Sequence, residues 1–366
     1  MDWRPNGARL TDTLPSTNGE AEGALRIMHL PIRAPIANDP DAFTNQCTQM
    51  RGMNEALARI GRLLVYDYYT RASERGLQSM RKELMQVMGY FAPHVVIVQL
   101  HAADVLDAAY ILTLRGVVPN ALFVNWIGDV YPDMMLNRAA LALAKEMDLA
   151  TVVNADALQT YANEGITGAY WQIGYEPDML TAEPDEQTPH HDVLFLGSNS
   201  NEHRHHLGAT LRTLGGQGIN VGLYGEWGTS IRADGICYQD FKRQGQLYRA
   251  ATLAVADQEF HDSDGFCSNR TFNLMVSGGA LCLHRRFRGM EERLGFKDGV
   301  HYVGWDNIDE LPALIAYWLD DRRKAKREKI ARNAQALCQT MHSFDARVHE
   351  LFFELLPSLV IKEAVG

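Results

Sequence analysis

The chain has 366 residues, more than one typical core and enough for two domains of roughly 100–200 residues each. Apolar residues make up 46% and charged residues 22%, ordinary globular values, and no run approaches the roughly 18 apolar residues that would span a bilayer. The formal net charge of −10 argues against broad binding to nucleic acid or anionic membrane, a local basic patch aside. The opening residues MDWRPNGARL lack the basic start and apolar core of a secretory signal. Cys47, Cys237, Cys267, Cys282 and Cys338, with no pair at metal-ligand spacing, are therefore expected to be reduced thiols in a cytoplasm.

Residues 1–24 are rich in Pro, Gly and small polar side chains without an apolar period and read as a polar lead-in. From Leu25 onward, short apolar runs alternate with helical patterns. The runs are LRIMHL, RLLVYDY, HVVIVQL, ALFVNWI and LATVV, and the helices are expected near 47–60, 74–90, 104–115, 136–146 and 155–164. Such alternation predicts a parallel sheet with helices on both faces over 25–173, and the unbroken run at 95–100 predicts a central strand. Residues 174–192, with three prolines and six acids, are expected to be a hinge. A second alternation fills 193–343: VLFLG, a helix near 201–214, INVGLYG, a helix near 243–250, TLAVAD, the helix within NRTFNLMVS, ALCL, and helices near 308–319 and 322–340. In the last helix, 344–362, Val348, Leu351, Phe352, Leu355 and Leu356 recur at three- and four-residue steps. Residues 344–366 are therefore expected to cross back and bury one face on the first domain.

Two successive α/β domains with a hinge resemble the two facing Rossmann-like domains of the GT-B architecture. Ligands of parallel sheets bind beyond the carboxyl ends of the strands, so the loops there carry the candidate residues. After the strand at 193–196, Gly197 permits close backbone approach, and Ser198 and Asn199 can start the helix that carries Arg204. A glycine turn feeding a helix N-terminus suits an anion, although an ordinary capped turn has the same pattern. His203, His205 and His206 point in different directions on a helix and read as a solvated face rather than a metal site. Tyr224, Gly225, Glu226 and Trp227 end the next strand, where an aromatic beside glycine supports a nucleotide base or simply caps a turn.

The segment DGFCSNRTFNLMVSGGALCL, residues 264–283, carries the strongest signal. Asp264 and Gly265 can fix a turn, and Ser268 or Asn269 can cap the helix. Arg270 then lies in the first turn, where the helix dipole disfavours a cation unless an anion is close by. A diphosphate held by the helix N–H groups and Arg270 would supply that anion; a surface pair of Arg270 with Asp262 or Asp264 is the structural alternative.

The run SNRTFNLMVSGGALCLHRRF, with GFKDGVHYVGWDNIDELPALIAYWLDD, HSFDARVHELFFELL and DVLFLGSNSNEHR, resembles the C-terminal half of the CgeB-like spore-maturation glycosyltransferases of the GT-B superfamily. The resemblance covers 264–350 closely and 192–204 in part; the N-terminal half is alike only in architecture. It implies glycosyl transfer from a nucleotide-sugar, a UDP-sugar first, with Arg270 and Thr271 on the donor diphosphate and Asn273 near the donor ribose or sugar. Retaining GT-B transferases carry a Glu at the position of Asn273 and another at that of Gly265, so this chain departs from them at the donor contact.

In the first domain, His101 follows the strand at 95–100, and Trp126, Gly128 and Asp129 follow the next. His101 and Asp129 are candidates for catalysis toward an acceptor hydroxyl, and Trp126 and Gly128 for binding the acceptor. The acceptor class is open among glycan, protein, small molecule and modified DNA base. No metal site is evident, so no cofactor is expected beyond the co-substrate. The basic stretch 322–332 reads first as a solvated helix face and second as a nucleic-acid surface. A sugar-nucleotide epimerase of the same fold and a catalytically inactive sugar-nucleotide-binding protein are the rival readings.

Overall fold

The structure, a computed structural model, describes residues 25–31, 48–99, 105–128, 136–229, 231–236, 240–258 and 260–357. The chain divides into two compact units, Met1–Ile173 with Phe344–Gly366, and Gly174–Ser343.

The first unit is built on six parallel strands: β1 (Arg26–Leu30), β2 (Arg62–Val65), β3 (Val95–Gln99), β4 (Leu122–Ile127), β5 (Leu149–Val152) and β6 (Gly168–Tyr170). Their order is β2-β1-β3-β4-β5-β6, with Val96 facing Met28 on one side and Phe123 on the other. Every residue of β3 is buried, because a strand between two neighbours and beneath helices on both faces has no solvent side. The helices are α1 (Thr48–Ile60), α2 (Tyr68–Arg75), α3 (Leu77–Phe91), α4 (Ala108–Val117), α5 (Arg138–Lys145) and α6 (Ala157–Asn163). Asp67, Asp107 and Asn137 accept from the backbone N–H groups of Thr70, Tyr110 and Ala140 and so fix three of the starts. The helix expected at 74–90 is two: Gly76, at φ +83°, closes α2 and opens α3, a left-handed conformation open to glycine at little cost. Strand β6 has no apolar run to announce it.

The second unit carries five parallel strands, β7 (Val193–Leu196), β8 (Val221–Tyr224), β9 (Leu253–Ala256), β10 (Leu281–Arg285) and β11 (Val303–Trp305), in the order β11-β10-β9-β7-β8. Its helices are α7 (Pro177–Thr181), α8 (Glu202–Gly216), α9 (Phe241–Ala250), α10 (Asn269–Ser277), α11 (Leu311–Leu319) and α12 (Lys324–Met341). The segment expected to be a hinge is part of this unit. Met179 and Ala182 are buried, and a Cβ on Gly245 of α9 would lie 2.6 Å from the Ala182 Cβ. Gln246 donates to Asp185, and Arg249 to Glu183 and to the Leu180 carbonyl. Two of its acids, Glu183 and Asp185, are thus partners of α9.

The last helix, α13 (Phe344–Glu350), continues as a π-helical turn, Leu351–Leu355. Phe344, Val348, Leu351, Phe352 and Leu356 are buried with Ile27, Leu57, Val95, Ile97, Trp126 and Trp171 in the core of the first unit. Trp171 donates its indole N–H to the Arg347 carbonyl (2.8 Å), and Arg59 pairs with Asp345 (2.6 Å). Among the described residues, no helix is long and apolar enough to cross a membrane.

Candidate functional site

The site begins where β7 ends. The N–H of Gly197 donates to the Tyr224 carbonyl (2.8 Å). A Cβ on Gly197 would stand 2.8 Å from the Phe195 ring and 3.0 Å from a guanidinium nitrogen of Arg270. Only glycine admits so close an approach, and the approach brings the loop after β7 against the first turn of α10. Ser198 lies in that loop, half-buried; the cap of α8 is Asn201, which accepts from the Arg204 N–H at 2.8 Å.

Helix α10 supplies the other half. Ser268 is its N-cap residue but makes no capping bond with its side chain. Its Oγ is buried without a partner, and so is the Nδ2 of Asn269. The first turn holds no acid. Buried hydroxyls and amides ordinarily find partners, and a helix N-terminus leaves its leading N–H groups without intrahelical acceptors. The Ser268 and Asn269 donors, the Arg270 cation, the positive end of the dipole and the Gly197 loop together form a place for an anion.

Several residues expected at the donor have partners within the scaffold. Thr271 is buried and donates from Oγ1 to Nε2 of His284 (2.9 Å), whose Nδ1–H donates to the Arg285 carbonyl (2.5 Å). Burial, with Arg270 and Arg204 nearby, pulls the His284 pKa down to about 4, so the ring is neutral. Asn273, also buried, accepts from the Glu176 N–H with Oδ1 (2.9 Å), while its Nδ2 has no partner. Arg204 is buried against Asp257, donating to its carboxylate and its carbonyl at 2.9 Å each. Asp264 pairs with Arg293 (2.7 Å), which holds its carboxyl below the ordinary range, and Gly265, at φ +75°, donates to the Arg288 carbonyl. These two residues shape the turn before α10. The Tyr224 hydroxyl meets His191 (3.2 Å), and Gly225 donates to Gly235.

In the first unit, Trp126 is 1% exposed and packs edge-on against Trp171 at 5.9 Å. Its ring belongs to the core rather than to a surface for an acceptor, and Gly128 lies against it. His101 and Asp129 lie outside the described residues. The sequence reading passed over Asp257, His261, His284 and Arg285. A lone acid, two lone histidines and an arginine at strand ends and in a loop carry no spacing signal, and what joins them is the sheet order β10-β9-β7. Among the described residues, no group of three or more His, Cys, Asp or Glu could hold a metal ion.

The model of the glycosyl transferase-like family matches residues 204–352. No curated protein matches the chain by sequence. Solved structures similar to it include a glycosyltransferase from Rickettsia africae, with a TM-score of 0.61 at 11% identity over 92% of this chain and 98% of that one. HepE from Anabaena, in complex with UDP and glucose, has a TM-score of 0.58 at 12% identity over 89% and 99%. Sucrose-phosphate synthase from Thermosynechococcus elongatus has 0.57 at 11% over 91% and 100%. At such identities the likeness is one of fold: the chain carries the two parallel-sheet α/β domains of the GT-B glycosyltransferases.

Proposed function

We propose that the protein is a metal-independent glycosyltransferase that moves a sugar from a nucleotide-sugar, a UDP-sugar first, to a hydroxyl acceptor. The observation that carries this reading is the approach of the Arg270 guanidinium to within 3.0 Å of a Cβ position on Gly197, beside the buried Ser268 Oγ and Asn269 Nδ2, neither of which has a partner. The family match over 204–352 and the UDP and UDP-glucose complexes of HepE point the same way. As the glycosyl bond breaks, negative charge develops on the diphosphate. The α10 N-terminus and Arg270 lie ready to offset it without reorganising, which is the work a divalent ion would otherwise do. Asn273, one helical turn beyond and buried, is assigned to the donor through Nδ2, which has no partner within the protein. In the first unit, His101 and Asp129 are assigned to the acceptor hydroxyl, one of them as base.

Calorimetric titration of UDP in the presence of EDTA tests the reading. The protein binds UDP under these conditions, and Arg270→Ala, folded by circular dichroism, binds roughly 10- to 100-fold more weakly, the worth of a hydrogen bond between charged partners, about 1.5–3 kcal/mol. Equal affinity in the folded variant would remove Arg270 from the diphosphate. Loss of wild-type binding in EDTA would make the donor site metal-dependent.

A further inference from the structure

A second cationic cluster lies at the carboxyl edge of the same sheet. Arg285, the last residue of β10, donates from one terminal nitrogen to Nε2 of His203 (3.3 Å) and from the other to Nε2 of His261 (3.2 Å). A guanidinium has no acceptor, so each imidazole accepts at Nε2 in these two bonds. Burial first, and Arg285 and Arg204 after it, lower the His203 pKa against the pull of Asp257. The His203 ring lies parallel to Trp305 at 6.3 Å, which fixes its plane.

The charges do not balance. Asp257 is 1% exposed and is engaged by Arg204 through Oδ2; its Oδ1 has no hydrogen-bond partner and lies 3.6 Å from His203 Nε2 and 3.8 Å from Arg285. Two guanidiniums thus share one carboxylate. Among the described residues, Asp262 lies 3.5 Å from His261 with its side chain in solvent. Arg285 is largely buried, with 17% of its side chain exposed, and among the described residues no carboxylate stands within hydrogen-bond distance of it. Arg285, mostly desolvated, thus shares that buried carboxylate with Arg204 and lacks the close charge-assisted partner that normally offsets such burial. His203 and His261 remain about one-third exposed, so a small anion reaches the cluster from solvent.

We propose that Arg285, His203 and His261 form a second anion subsite of this unit, for a tetrahedral oxyanion such as a phosphate monoester. The subsite is separate from the α10 N-terminus and does not depend on the donor reading. On binding, the anion takes the Arg285 N–H groups from the imidazoles, whose freed Nε2 atoms gain protons and donate to the anion or, from His203, to Asp257 Oδ1. Anion binding therefore raises the His203 pKa, and a one-unit rise corresponds to about tenfold tighter binding to the protonated form.

Sulfate is the probe, since its charge is constant over the range in which histidine titrates. Ring NMR of the histidines is followed from pH 5 to 9 in sodium sulfate and in sodium chloride of equal ionic strength. The proposal expects sulfate to raise the pKa of His203 by about one unit, an effect absent from folded Arg285→Gln and retained in Arg270→Ala. An unmoved His203 in the wild-type protein overturns it, as does a shift that survives Arg285→Gln. A shift lost in Arg270→Ala assigns the sulfate to the α10 site and overturns the second subsite, whatever the outcome of UDP titration. An equal shift with acetate overturns the assignment to a tetrahedral anion.

Discussion

The buried imidazole of His284 ties the first turn of α10 to β10 through Thr271 and Arg285, and its neutrality couples that tie to pH. Its pKa is about 4 in the folded chain against an ordinary 6.5, so between these values the unfolded chain binds the extra proton. Stability from this group is complete above about pH 6.5 and is lost as the pH falls toward 4, by at most about 3 kcal/mol. Urea unfolding at pH 7 and pH 5 measures it: the midpoint falls at pH 5, and His284→Gln shrinks the fall. An equal fall in the variant would place the titration elsewhere. At this scale the place of Arg270 in the first turn of α10 was legible in the sequence, because the signals that start a helix are local. The partner of Arg204 was not, since Asp257 is 53 residues away and only the sheet brings β9 beside β7.

The turn from α10 to β10 shows how two adjacent glycines differ. Gly278 closes the helix at φ +73°, and a Cβ there would meet the movable end of Gln335. At Gly279 a Cβ would lie 2.3 Å from the Arg249 Cα and 2.7 Å from its carbonyl oxygen, where α9 passes and no atom can yield without moving backbone. Gly278→Ala is expected to cost about 1 kcal/mol, the left-handed penalty, and Gly279→Ala about 3 kcal/mol or more, an overpacking cost. Denaturant melts rank the two, and the reverse order would place the constraint in φ rather than in the helix contact. The sequence announced a Gly-Gly turn before an apolar strand, but not which glycine is held by sterics, because α9 arrives from a distant part of the chain. The same limit applied to 174–192, whose prolines and acids read as a linker until α9 supplied Arg243, Gln246 and Arg249 as partners.

Across the whole molecule, the last described segment belongs to the unit that holds the first strand. Phe344, Val348, Leu351, Phe352 and Leu356 are buried against residues of β1, α1, β3 and β4, each contributing roughly 1.5–3 kcal/mol when removed from water. Truncation after Ser343 exposes that face of the first unit and removes the acceptor of the Trp171 indole N–H. Amide exchange in the truncated protein is expected to rise over 25–173 far more than over 193–340. A rise confined to 193–340 would show that the helix stabilises the other unit.

What the sequence determined by itself was whatever depends on near neighbours along the chain. The alternation of apolar runs and helical periods specified two parallel-sheet domains, since strand and helix periods are written in consecutive residues. The three- and four-residue steps of 344–356 marked a face to be buried. What only the tertiary structure decided was which residues meet across strands: Arg270 at Gly197, Thr271 on His284, Asn273 on the Glu176 backbone, and Arg285 between His203 and His261. Strand order is set by packing in the whole sheet and by connections tens of residues long. A side chain's assignment to core, scaffold or ligand therefore follows from distances that no local pattern encodes.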